Sequence, residues 1–148
     1  MTKLKKGYIY FIKNNFWNNL KKIGVSQNVN NRIKSLNTAC PEPIEILYIT
    51  KELVDKYYYE HIISKYIYKY RYNANREFYN ITEDEFNIII KFIELMNDIY
   101  DTEDKLLEYI KLNDPLYYKM RYTKLKKKIF IDTNYENKDN ELNMSMIL

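Results

Sequence analysis

The fold is decided by the stretch GYIYFIKNNFWNNLKKIGVSQNVNNR, which runs from Gly7 to Arg32. It contains both glycines of the 148-residue chain, Gly7 and Gly24. Scarce glycines mark positions where the backbone needs a positive φ or where another group approaches closely. Two runs rich in strand-forming residues, Tyr8–Lys13 and Leu20–Val25, flank an asparagine-rich turn. The pattern predicts a β-hairpin that leads into a helix carrying Arg32, with a functional site on the hairpin.

The composition is that of a globular protein with a mildly basic surface. Hydrophobic residues make up 46 % of the chain, which argues against wholesale disorder, and the net charge of +4 permits nucleic-acid binding without requiring it. The abundance of Lys, Asn, Ile and Tyr indicates an A/T-rich genome, so the 17 tyrosines are attributed to codon bias rather than to base stacking. The same bias lends weight to the four arginines, because lysine would serve wherever a point charge sufficed.

Several classes of protein are excluded or disfavoured. The single cysteine, Cys40, rules out an intrachain disulfide and a cysteine-based zinc cluster. No apolar run reaches the ~18 residues of a membrane span, and no signal peptide precedes the first strand. We therefore expect a soluble, intracellular protein without a membrane partner.

The rest of the chain predicts an α+β fold (α/β sandwich-like). We expect a small, mainly antiparallel sheet of three strands flanked by helices, with a helical C-terminal extension. The third strand is predicted at Ile44–Thr50, the second helix at Val54–Tyr68, and a short strand-like segment at 76–79. A capping box at 82–85 starts a helix that runs to about Tyr100, and further helices begin at Thr102 and Asp114. The predicted division is 1–81 for the core module, 82–131 for the extension and 132–148 for a loosely ordered tail.

Two charged residues occupy unusual places on helical faces. Arg32 falls within an apolar stripe formed by Val29, Ile33 and Leu36. An internal salt bridge, an arginine that extends its charge from the edge of the stripe, or a bound anion would each explain it. Glu60 falls in the middle of a second stripe, and a carboxylate there must be paired, metal-bound or at a cleft. That second stripe is predicted to comprise Leu53, Tyr57, Ile63 or Ser64, and Ile67. His61, the only histidine, is interpreted as packed or solvated rather than as a ligand.

These features together resemble the GIY-YIG nuclease superfamily, over about residues 7–81. Tyr8-Ile9-Tyr10 resembles the first motif, and Lys22-Ile23-Gly24 resembles the second with Lys replacing its tyrosine. The closest likeness is to the phage and large-DNA-virus branch, which carries KIG in place of YIG. The positions that follow this branch's pattern are Arg32, the segment 31–39, Glu60 and Glu77-Phe78-Tyr79. Two positions depart from it, since Ser64 stands where a histidine is usual and Tyr79 where a phenylalanine is usual.

The resemblance implies a metal-dependent endonuclease that hydrolyses phosphodiester bonds in DNA, with RNA not excluded. It implies that Glu60 holds Mg²⁺ or Mn²⁺, that Arg32 binds the scissile phosphate, and that Tyr10 orients or deprotonates the attacking water. Lys22 is expected to favour the phenolate of Tyr10 electrostatically. Supporting roles are assigned to Tyr8, His61, Asn75 and Glu77, with Tyr8 expected on the opposite sheet face from Tyr10.

Other functions stay open at this point. One is a nucleic-acid-binding module of the same fold without cleavage, which the Ser64 departure favours. Another is a viral or bacterial interaction protein. The basic stretch 119–128 fits either a phosphate-tracking face or a solvated helix face.

Overall fold

The computed structural model describes residues 4–72 and 78–123, and within these ranges the fold is α+β, as expected. The first half of the chain alternates strands and helices. The elements are β1 (Tyr8–Lys13), β2 (Lys21–Ser26), α1 (Val29–Thr38), β3 (Glu45–Ile49), α2 (Lys56–Ile67) and β4 (Phe78–Tyr79). Three helices follow, α3 (Glu83–Ile99), α4 (Glu103–Asn113) and α5 (Pro115–Tyr122).

The sheet has four antiparallel strands in the order β3-β1-β2-β4, one more than predicted. The extra strand is the segment Phe78–Tyr79, which pairs with Lys22 and Lys21. Its two residues pair with a strand more than fifty positions away in the sequence, so local pattern alone did not assign it to the sheet.

The hairpin between β1 and β2 is closed by asparagine chemistry. Asn14 accepts a hydrogen bond from the backbone N–H of Phe16 at 2.9 Å and so caps a 3₁₀ turn at Asn15–Trp17. Asn18 then takes a positive φ of 54°, a conformation that asparagine tolerates better than most residues. Neither glycine has a positive φ, so the turn does not use them.

The two faces of the sheet are covered by different helices. On one face Tyr10 and Ile12 pack against Val29 and Ile33 of α1. On the other face Phe11 packs edge-to-face with Phe86 of α3, with ring centroids 5.1 Å apart. The predicted capping residue Thr82 starts α3 by accepting a hydrogen bond from Glu85 N–H at 3.2 Å.

The buried face of α2 differs from the prediction. Tyr59, Ile63 and Ile67 are fully buried, whereas Tyr57 is 38 % exposed. Residues 59, 63 and 67 follow one another at four-residue spacing, which places them on one helical face. Glu60 therefore lies at the edge of the buried face and is half-buried, not at its centre as predicted.

The chain divides into two compact units. One is Lys5–Ile99, which contains the sheet and α1 to α3. The described residues of the other are Leu4 and 100–123. Within that unit Tyr100 stacks obliquely with Tyr109, with ring centroids 4.6 Å apart. The predicted division into a module at 1–81 and an extension at 82–131 stays a prediction. The predicted tail, 132–148, lies outside the described residues, so its order stays a prediction.

Candidate active site

Position 24 requires glycine because the side chain of Tyr10 lies over it. The two residues are directly opposite in the β1–β2 register, and Tyr10 is only 1 % exposed. A β-carbon at position 24 would collide with the Cζ, Oη and Cε1 atoms of Tyr10. Of the two reasons for a scarce glycine, the structure selects close approach. Gly7 is similar, since a β-carbon there would lie 2.5 Å from Cδ of Lys56 and 2.9 Å from the Ser26 carbonyl oxygen.

The ring of Tyr10 reaches Arg32. The Nε–H of Arg32 donates a long hydrogen bond of 3.4 Å to the phenol oxygen of Tyr10. Helix α1 fixes the position of Arg32, because Asn28 caps it by accepting from Asn31 N–H at 3.1 Å and Ile33 anchors it to the sheet. Within the described ranges 4–72 and 78–123 Arg32 forms no ion pair, and its exposure agrees with an arginine that extends its charge from the edge of the apolar stripe. Its guanidinium is exposed and keeps the Nη donors for another acceptor.

Lys22 lies on the same face of β2 as Gly24, two residues away. It is paired with Ile12, which makes it a diagonal cross-strand neighbour of Tyr10. Its ammonium lies over the ring of Phe78, 5.6 Å from the centroid, and Phe78 also contacts Trp17 edge-on. The ring of Phe78, on the neighbouring strand β4, therefore fixes the position of this ammonium group.

Glu60 lies at a cleft, one of the three situations expected for it. It lines a pocket of about 250 Å³ whose other walls are Ile23, Ser64, Tyr68, Arg71 and Tyr79. Glu60, Ser64 and Tyr68 succeed one another at four-residue spacing, so they share one face of the helical segment. The position at which the resembling branch carries histidine thus faces the same pocket as the glutamate.

Arg71 is a site residue that the sequence reading did not select. It lines the Glu60 pocket, its guanidinium lies over the ring of Tyr68 at 5.3 Å from the centroid, and its backbone bridges to Tyr79. A signal was present, because arginine is rare in this lysine-rich chain.

The predicted site residues fall into two groups that meet at β2. Tyr10 and Arg32 lie over Gly24 on one face of the sheet, whereas the Glu60 pocket contacts Ile23, whose side chain points to the other face. Within the described residues β4 pairs only with Lys21 and Lys22, so no strand there covers the edge of β2 at residues 23 and 24.

The supporting residues have mixed outcomes. Tyr8 packs against the cluster that contains Tyr10, so the expectation that it lies on the opposite face was wrong; strand residues two apart share a face. His61 is half-buried beside Tyr58, with ring centroids 6.1 Å apart, in keeping with a packed role. Asn75 and Glu77 lie outside the described residues, and their roles stay predictions.

The donor set for a metal is small. The described part of the chain holds no group of three or more His, Cys, Asp or Glu side chains that could bind one. Glu60 offers one carboxylate in a pocket with room for water. This arrangement fits Mg²⁺, which keeps several waters and is often held by one or two carboxylates plus substrate phosphates.

The fold and the site define a small α+β domain with an exposed arginine held by a buried tyrosine and a carboxylate at a neighbouring cleft. The chain belongs to the T5orf172 domain family, whose model matches residues 7–94, more than half of its length. This domain is found in phage and other nuclease-like proteins. Comparisons with curated proteins and with solved structures gave no match. Among the helices in the described ranges, none has both the length and the apolar character needed to cross a membrane.

Proposed function

We propose that this protein is a metal-dependent endonuclease of the GIY-YIG type that hydrolyses phosphodiester bonds in DNA. The observation that carries the proposal is the contact between Tyr10 and Arg32 over Gly24. It joins a group suited to orienting water with a group suited to binding phosphate, in a domain family that includes nuclease-like proteins.

Arg32 binds the scissile phosphate in this proposal. Its planar guanidinium is always charged and can donate two parallel hydrogen bonds to phosphate oxygens. Because Nε is already directed at Tyr10, the two Nη groups are the ones that meet the phosphate. The same contact fixes the angle at which they do so.

Tyr10 orients the attacking water through its phenol oxygen. Burial of the ring and its close packing on Gly24 restrict it to one position, and such restriction accounts for much of the rate gain of a positioned group. Lys22, its diagonal neighbour in the β1–β2 register, adds a positive charge to this part of the site.

Glu60 is the residue that would hold Mg²⁺ or Mn²⁺. When bound, the metal supplies charge neutralisation to the phosphate and the leaving oxygen. The proposal places the scissile phosphate beside β2, between the Glu60 pocket, which Ile23 lines, and the contact of Tyr10 with Arg32 over Gly24. Arg71, which lines the same pocket as Glu60, adds a positive charge there.

The test is cleavage of supercoiled plasmid and of branched DNA with and without Mg²⁺. We expect metal-dependent nicking by the wild type and its loss in Glu60→Gln, which keeps the shape of the side chain but removes its charge. Glu52→Gln is the matched control, because Glu52 is an exposed carboxylate outside the pocket. Activity in Glu60→Gln equal to that of the control would contradict the role of Glu60.

A second candidate is a nucleic-acid-binding module that does not cleave. Ser64 favours it, because this residue shares the pocket with Glu60 and supplies neither the base nor the metal ligand that a histidine would. DNA binding measured for wild type and Glu60→Gln separates the candidates. Tight binding by both without nicking by either identifies the binding module and overturns the nuclease.

A further inference from the structure

Helix α3 carries two apolar faces, whose centres lie about 110° apart around the helix axis at 3.6 residues per turn. One face, Phe86, Ile89, Ile93 and Met96, is buried within the domain. The other face consists of Ile88, Phe92, Leu95 and Ile99, which we call the outer stripe. These four side chains are 51 %, 47 %, 61 % and 50 % exposed.

A surface helix ordinarily has one apolar face and a polar one, and a helix that is apolar all round is ordinarily buried. A contiguous exposed apolar patch on a soluble domain marks an interaction site. Four large apolar residues on one face of a 17-residue helix, about 25 Å long, form such a patch. The outer stripe therefore indicates that α3 has a partner.

The spacing of the outer stripe indicates what kind of partner it is. Its residues are separated by four, three and four positions, which is the a/d spacing of a two-helix coiled coil. The complement of such a stripe is another helix with the same pattern. A second copy of α3 provides one, and a twofold axis makes the contact self-complementary.

The residues beside the stripe select the antiparallel orientation. On one side lie Ile89 and Met96, buried in their own domain; on the other lie the exposed charges Asp84, Lys91 and Asp98. Antiparallel packing brings like sides together, so Lys91 of each copy lies near Asp98 of the partner subunit, twice by symmetry. Parallel packing would instead bring Lys91 of one copy to the side of the partner's helix that carries Ile89 and Met96, where it would have no opposite charge to meet.

We propose that α3 pairs with α3 of a second copy as an antiparallel helix pair, giving a symmetric homodimer. Phe92 packs against Leu95 of the partner subunit at the centre, and Ile88 packs against Ile99 at each end. The patch is small for a dimer interface, so association is reversible and depends on concentration.

The test is sedimentation velocity of the full chain over a wide range of protein concentration. We expect a monomer–dimer equilibrium that Leu95→Glu weakens about tenfold or more, because dimerisation would bury an unpaired charge. Leu112→Glu is the matched control, because Leu112 is 71 % exposed on α4 and lies outside the outer stripe. This variant should dimerise like the wild type. A wild type that stays monomeric at all concentrations would overturn the homodimer and leave the stripe to a different protein.

Charge exchange tests the orientation. Lys91→Asp and Asp98→Lys should each weaken the dimer, and the double variant should restore it, because the pair across the twofold axis is re-formed with reversed signs. A double variant as weak as the singles would overturn the antiparallel arrangement. Circular dichroism shows whether each variant keeps its helix content.

Discussion

The phenol end of Tyr10 fills the space that a β-carbon at position 24 would need, so the two residues specify each other. The ring crosses β2 because its partner in the register has no side chain, and it thereby reaches Arg32 on α1. A strand pair and a helix are thus brought to one point by a single buried aromatic residue.

Gly24→Ala should destabilise the protein by about 1–3 kcal/mol, the usual cost of overpacking a core. It should also displace the phenol from Arg32 and reduce cleavage. Urea unfolding gives the first effect and plasmid nicking the second. In a Tyr10→Ala background the same glycine substitution should cost much less, because the colliding ring is gone; an equal cost in both backgrounds would show that the ring is not the reason for the glycine.

Arg32→Lys should lower cleavage about 100-fold or more while leaving stability within about 0.5 kcal/mol of wild type. Lysine keeps the charge but cannot contact Tyr10 and bridge two phosphate oxygens at once. Single-turnover nicking rates and thermal unfolding measure the two effects. Lys34→Arg, an exposed change two positions along the same helix, is the control and should cleave normally. Wild-type cleavage by Arg32→Lys would remove the bidentate role.

Lys56 should give the protein a distinctive stability profile at alkaline pH. Burial lowers the pKa of its ammonium, outweighing the attraction of Asp55, and Lys5 lowers the pKa further. Between this lowered value and the ordinary 10.5 the unfolded chain binds more protons than the folded one, so the contribution of Lys56 to stability rises with pH across that window.

The measurement is urea unfolding of the wild type and of Lys56→Met, each at neutral pH and near pH 10. Methionine keeps the apolar stem of the lysine side chain and removes its charge. The difference, wild type minus variant, should increase on going to the higher pH. Tyr48 also affects the pH dependence, because burial and the charge of Glu94 raise the pKa of its phenol. Its contribution to stability therefore falls as the pH rises above the pKa of the unfolded chain. This contribution is the same in both proteins, so it cancels in the difference. A difference that does not change with pH would show that the ammonium titrates normally.

Local signals predicted most of the elements well. Asn14 in the hairpin turn and Thr82 at the start of α3 form hydrogen bonds with residues two and three positions further along the chain. A short stretch of sequence therefore contains all the residues that form the turn and the cap. The strand-like segment at 76–79 was also predicted, but its place in the sheet was not, because that depends on the pairing of Phe78 and Tyr79 with the distant Lys22 and Lys21.

Sequence signals selected the candidate site residues but did not predict how they are arranged. Arg32 and Glu60 were selected because each is a charge on an apolar helical face, a purely sequential signal. That they lie against opposite faces of β2 depends on which helix covers which side of the sheet. Arg71 was missed because its place in the Glu60 pocket depends on a chain turn after α2 and on Tyr79 from β4.

Lys21 is a buried lysine, 7 % exposed, whose ammonium donates to the Ile81 carbonyl oxygen at 2.9 Å and lies 3.5 Å from Glu83, the first residue of α3. It adjoins Lys22 on the strand that carries Gly24, so this cation ties the proposed catalytic strand to the helix of the proposed dimer. Through this contact DNA binding and dimerisation can be coupled, and such a coupling acts equally in both directions. If pairing through α3 shifts DNA affinity, DNA must shift the dimerisation constant by the same factor, and Lys21→Met should reduce both shifts together.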